Sequence, residues 1–169
     1  GDLDNVIIAH EYGHGISTRL VGGPGTNALG GSEQMGEGWS DWFGLMLTIE
    51  PGDQPTDIRG IGTFALGQPT DGNGIRSFPY STDTNVNPFT YASSNTQAVP
   101  HGVGSVWCTI LWDLSWAYIN QYGYDNDLYN GNGGNNRVMQ LVLDGLKLQP
   151  CSPGMVDGRD ALIAADQAL

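Results

Sequence analysis

A mainly α domain with one long irregular segment is the fold this sequence predicts. Three observations carry the prediction. Apolar residues recur at spacings of three and four in five separate segments. No run alternates apolar and polar residues as a half-buried strand does. Residues 51–100 are so rich in Pro, Gly, Asp, Asn, Ser and Thr that no long helix fits there. At 169 residues the chain is one domain's worth of sequence, long enough to bury a core without staples.

The first helix is predicted over residues 3–20. Asp2 or Asp4 can cap it, and Val6, Ile7, Ile8, Ile16 and Leu20 give it apolar surface. Gly13 and Gly15 weaken it, so packing must hold it. Five glycines and Pro24 make residues 22–31 a loop. A second helix is predicted from Ser32 to Ile49, with Met35, Trp39, Trp42, Phe43, Met46 and Ile49 on its apolar face. Glu50-Pro51-Gly52-Asp53 ends it. An irregular stretch as long as 51–100 inside one domain is often functional. Helical spacing returns from Gly102 to Gln121 through Val103, Val106, Trp107, Ile110, Leu111, Leu114 and Tyr118. That segment is apolar nearly all round, which predicts a central buried helix with Trp107, Trp112 and Trp116 in the core. Residues 126–136 form an Asn/Gly-rich loop. Helices are then predicted over Arg137–Leu148 and Val156–Ala168, separated by Gln149-Pro150-Cys151-Ser152-Pro153-Gly154.

Composition excludes several functions. The net charge of −12 is wrong for a nucleic-acid binder that works through a basic face, and wrong for docking on anionic lipid. No apolar run approaches the roughly 18 residues that cross a bilayer. Five Trp and seven Tyr argue against intrinsic disorder. An acidic, lysine-poor surface suits a secreted protein. Cys108 and Cys151 are read either as a disulfide or as two buried thiols. The chain opens without a basic, apolar leader and reaches a catalytic-looking motif at once, which reads as a piece of a longer chain.

That motif is His10-Glu11-Tyr12-Gly13-His14. Histidines at i and i+4 on a helix share a face, which suits two imidazoles on one tetrahedral zinc. Glu11 then lies beside the metal, placed to take a proton from a zinc-bound water. A zinc with an open catalytic position needs a third protein ligand. Neither cysteine has a second ligand near it, and no histidine follows at the short spacing of the H-E-x-x-H-x-x-G-x-x-H class. Glu37 remains, in Met35-Gly36-Glu37-Gly38-Trp39-Ser40-Asp41 on the second predicted helix. Asp41, one turn further on, can accept the free ring N–H of a ligating histidine. His101 is the only other histidine and stands before a helix, whose N-terminus favours negative charge developing nearby. Tyr80 and Tyr91 are candidate donors to an oxyanion, with packing as the alternative. Asp125-Asn126-Asp127 lacks the bidentate glutamate of a calcium loop and reads as a plain loop.

These residues resemble a gluzincin metallopeptidase and, more closely, the fungalysin family of secreted, thermolysin-related endopeptidases. The resemblance runs through HEYGHGISTRLVGG, MGEGWSDWFGLML, GIRSFPYSTD, PHGVGSVWCTILWDL, GNNRVMQLVLDGLKLQPC and DGRDALIAAD, almost the whole chain. It implies the helical C-terminal catalytic lobe of a thermolysin-like enzyme, spanning residues 1–169. It implies Zn2+ as cofactor, bound by His10, His14 and Glu37, with Glu11 as general base, Asp41 orienting a histidine and His101 stabilising the oxyanion. Arg76 matches an arginine that contacts a substrate carbonyl, with a structural ion pair as the alternative reading, and Tyr80 joins it as a candidate substrate contact. Peptide or protein substrates, a preceding lobe that completes the groove, a propeptide and an extracellular location follow from the same resemblance. One departure is clear: thermolysin-like enzymes place an acid just before the histidine matching His101, and here Thr96–Val99 fill that region. The competing reading is a zinc-binding lobe that does no chemistry alone and serves as a peptide- or partner-binding module. A purely structural zinc is the weakest reading, because such sites are usually closed by Cys and His.

Overall fold

A computed structural model describes residues 1–168 of the chain. The fold is mainly α, as the sequence predicts. Five α-helices are joined by loops, and the only β pairing among the described residues is two isolated bridges, Arg59 with Tyr80 and Ile61 with Gly74.

Helix α1 spans Asn5–Leu20, and Asp4 caps it. The Asp4 carboxylate accepts the Val6 and Ile7 backbone N–H groups at 3.0 and 3.1 Å and, with its other oxygen, that of Ala65 at 3.0 Å. One residue therefore starts the helix and ties the irregular segment to it. Helix α2 spans Gly36–Met46 and is buried from Gly38 to Met46. It starts later than Ser32 because Glu33 is used elsewhere: its carboxylate accepts the Met155 N–H at 3.0 Å. The two helices approach closely at Gly13, where a Cβ would lie 2.8 Å from the Ser40 Cα.

Helix α3, His101–Tyr122, is the predicted central helix. Trp107, Trp112 and Trp116 lie in the core with Trp39, Trp42 and Leu111. The Trp42 indole donates to Ser115 Oγ at 2.8 Å, so a buried N–H on α2 is satisfied from α3. Gly38 and Gly104 make the α2–α3 crossing possible. A Cβ on Gly38 would run into the Gly104 carbonyl, and one on Gly104 would lie 2.6 Å from Glu37 Cβ.

Helices α4 (Gly134–Leu148) and α5 (Met155–Asp166) close the far side of the core. Helix α4 begins three residues before Arg137 because asparagines supply its start. Asn136 Oδ1 accepts the Gly133 N–H at 3.1 Å, and Asn135 exchanges two hydrogen bonds with the Asp125 backbone. The Asp125 and Asp127 carboxylates accept backbone N–H groups of Asp127, Tyr129, Asn130 and Asn132, as a plain loop does. The irregular segment also holds a short 3-10 helix, Tyr91–Thr96, that has no apolar period to announce it. Ser93 Oγ accepts the Thr90 N–H at 3.1 Å and closes its first turn. Both cysteine readings are corrected. The thiols are unbridged, Cys108 buried on α3 and Cys151 exposed in the α4–α5 connection.

Candidate metal centre

Helix α1 presents His10 and His14 one turn apart, as their spacing requires. Their Nε2 atoms are 3.1 Å apart. Helix α2 brings Glu37 to the same point, with carboxylate oxygens 3.5 Å from each Nε2. Ligand atoms held at 2.0–2.1 Å by a tetrahedral zinc would be separated by about 3.3 Å, so the spacing of these three donors fits such an ion. It is the only group of His, Cys, Asp and Glu side chains among the described residues whose donors converge this closely. Burial holds the His14 imidazole below the usual histidine range, and the neighbouring His10 adds to the effect. Both favour the neutral ring that a metal needs.

Behind the triangle stands Asp41, 0% exposed. Its Oδ1 is 2.7 Å from His10 Nδ1. A neutral His10 that donates this bond keeps the Nε2 lone pair for the metal side. Arg76 Nη2 donates to Asp41 Oδ1 and Arg76 Nε to Asp41 Oδ2, each at 2.7 Å, and Nη2 also reaches Glu37 Oε2 at 3.1 Å. The Tyr80 hydroxyl donates to Asp41 Oδ2 at 2.5 Å. Burial alone would raise the Asp41 pKa. The bonds from His10 and Arg76 reverse that and hold the carboxyl below the usual carboxylate range. Burial likewise opposes the Arg76 charge, and the Asp41 carboxylate overrides it, so the guanidinium stays charged. Burial and then the Asp41 charge push the Tyr80 hydroxyl well above its ordinary pKa, so it is a donor at neutral pH.

Glu11 is exposed beside His10, and its carboxylate accepts no side-chain hydrogen bond from the described residues. His101, the first residue of α3, is 64% exposed, and its Nε2 lies 3.6 Å from Glu37 Oε1. A cleft of about 400 Å³ runs beside it, lined by Ile75, Arg76, Ser77, His101, Gly102 and Ser105. A larger concavity, about 770 Å³, lies elsewhere, around Tyr118, Tyr122 and Tyr129, so donor geometry rather than cavity size locates the centre.

The structure thus brings together His10, His14, Glu37, Asp41, Arg76, Tyr80 and His101, and for two of them it shows the alternative the sequence left open. Tyr80 is fully buried with its hydroxyl committed to Asp41, which removes it from any substrate surface here. Arg76, its side chain 6% exposed, is paired with Asp41 and Glu37 rather than free. The signal for this pairing was present: two acids one turn apart on a helix among tryptophans need a counter-charge once buried. Tyr91 donates to Glu33 at 3.3 Å rather than into the centre.

Comparison with known proteins places the chain among metallopeptidases. The chain matches the fungalysin metallopeptidase family (M36) over residues 1–169. It is 43% identical to extracellular metalloproteinase 2 of Arthroderma gypseum, 42% to extracellular metalloproteinase 2 of Trichophyton rubrum and 40% to extracellular metalloproteinase MEP of Neosartorya fischeri. Each match takes in the whole of this chain and 28% of the relative. With a motif, a donor triangle and a whole-chain match in agreement, the chain belongs to the fungalysin metallopeptidase family.

Proposed function

We propose that the chain is the metal-binding, catalytic part of a secreted zinc endopeptidase that hydrolyses peptide bonds in peptides or proteins. The observation that carries this is the triangle of His10 Nε2, His14 Nε2 and a Glu37 carboxylate, with the unclaimed Glu11 beside it. A zinc held by His10, His14 and Glu37 would supply Lewis acidity there and would lower the pKa of a bound water towards about 7. Glu11 takes the proton from the attacking water and passes it to the leaving amine. His101, exposed at the mouth of the cleft, donates to the oxyanion that develops on the substrate carbonyl. Asp41 holds His10 in the tautomer whose Nε2 is free. Arg76 holds Asp41 and Glu37 in register, and its remaining N–H groups border the cleft where a substrate carbonyl would lie. The relatives are named as extracellular, which supports secretion. The chain spans 28% of their length, and we assign the rest of the substrate groove, as well as any propeptide, to sequence of that kind.

The test is cleavage of a quenched, mixed-sequence peptide library by the zinc-loaded chain, before and after chelation. Glu11→Gln is expected to keep one zinc and lose about 10²–10⁴-fold in rate, the usual worth of a general base. Full activity in that variant, or unchanged zinc content in His10→Ala, overturns the assignment.

A further inference from the structure

We infer that the Tyr80 hydroxyl is a positioning group for the metal ligand His10, acting through Asp41, and that it sets zinc affinity rather than substrate contact. The inference rests on the zinc reading above.

An ionised carboxylate offers about four lone-pair directions. In Asp41 they are filled by His10 Nδ1, by two guanidinium N–H groups of Arg76 and by the Tyr80 hydroxyl. The carboxylate is therefore fixed in rotation, and the His10 ring is fixed with it. The donors differ in how they are held. Arg76 is a long side chain shared between Asp41 and Glu37. Tyr80 is rigid and fully buried, and its backbone is clamped on both sides. Its N–H and C=O exchange bonds with Arg59 at 2.8 and 2.9 Å. The carbonyl before it, that of Pro79, accepts from Asn87 Nδ2 at 3.1 Å, and the same nitrogen donates to Thr109 Oγ1 on α3. Tyr80 thus connects Asp41 on α2 to a frame anchored on α3. Without it, Asp41 Oδ2 is held by the Arg76 side chain alone.

Tyr80→Phe keeps the ring and deletes the hydroxyl. Zinc affinity is measured on the full 169-residue chain by competition with a chromophoric chelator, for wild type, Tyr80→Phe, Asp41→Asn and the double variant. Outer-shell partners of metal ligands are worth 10–100-fold in affinity, and Tyr80→Phe is expected at about tenfold. In the Asp41→Asn background the same change is expected to cost less than about twofold, because the relay is already broken. A residue that only supports the fold lowers the melting temperature and leaves zinc affinity unmoved. An affinity within twofold of wild type in Tyr80→Phe, or an equal loss in both backgrounds, overturns the proposal. Should Asp41→Asn fail to fold, the ¹⁵N resonance of His10 Nδ1 in the zinc-free Tyr80→Phe chain decides. A shift from wild type supports the relay, and an unmoved resonance overturns it. A wild-type chain that binds no zinc overturns the zinc reading and this inference together. A wild-type chain that binds zinc, with Tyr80→Phe binding equally well, overturns this inference alone.

Discussion

Glu37 and Asp41 stand one turn apart on α2, yet only Glu37 faces the other metal donors while Asp41 meets Arg76 squarely. Among the described residues Arg76 is the one guanidinium that donates hydrogen bonds to both carboxylates, so its charge is what makes their burial tolerable. Arg76→Leu leaves Asp41 charged, buried and short of its main partner. Breaking one side of such a pair is expected to cost about 3–5 kcal/mol, read as a lower urea midpoint. A midpoint within error of wild type would show that Arg76 does not neutralise this pair. At this scale the sequence was legible where chemistry follows a short, regular spacing. His10 and His14 share a face by helix geometry alone, and Glu37 was the acid left after the other ligands were eliminated. That a buried Asp41 needs a cationic partner was legible from its setting, but which residues supply its bonds was not. Positions 76 and 80 lie 35 and 39 residues further on, inside a segment with no period, and no spacing rule relates them to α2. A buried tyrosine bound to a carboxylate reads in sequence like any tyrosine near a cleft.

Close helix crossings decide the behaviour of the elements, and glycine decides the crossings. Gly38→Ala forces a methyl against the Gly104 carbonyl at the α2–α3 contact. Overpacking of this kind costs about 1–3 kcal/mol. Gly104→Ala is expected to lose stability and zinc affinity together, because the new Cβ meets the Cβ of Glu37 itself. Gly15 is the contrast. Nothing lies within 4 Å of its missing Cβ, and its φ is helical, so Gly15→Ala is expected to stabilise the chain by up to about 1 kcal/mol. Thermal melts and zinc titrations of the three variants separate these outcomes. The five helices were readable because each carries an apolar face of period near 3.6, and the long α3 showed itself by being apolar all round. Their edges were less readable. Helix α2 starts late because Glu33 serves α5, and α4 starts early because Asn135 and Asn136, in its first turn, bond back to Asp125 and Gly133. Both causes are contacts between distant or irregular residues that periodicity does not register.

Two effects belong to the whole molecule. Zinc held by the folded centre and not by the unfolded chain is expected to raise the melting temperature, by about 2.7 kcal/mol of stability at a hundredfold excess over Kd. Chelation reverses it, and a melt indifferent to chelator would mean that the folded centre does not hold the metal. The second effect is alkaline. Burial pushes the Tyr118 hydroxyl up to about 12, helped by its 2.7 Å bond to Asp166, against 10.0 for an ordinary tyrosine. The folded state keeps this proton longer than the unfolded state does. The stability it adds is therefore complete below pH 10 and fades as pH rises through 12. Tyr118→Phe is expected to flatten the loss of stability over that interval, measured by urea midpoints, and an unchanged slope would assign the loss to other groups. Finally, short turns follow one another from Gly52 to Val86, closed by bonds such as Asp53 N–H to Glu50 C=O, Gly72 N–H to Pro69 C=O and Val86 N–H to Asp83 C=O. A protease groove takes substrate as extended chain, and backbone wound into turns of this kind offers little of it. On the proposed function, a second copy attacking this surface would have to wait for a turn to spring open. On that same function, self-digestion at this surface is then expected to be limited by local opening rather than by the encounter of two copies, so the least regular region would double as armour against the molecule's own kind.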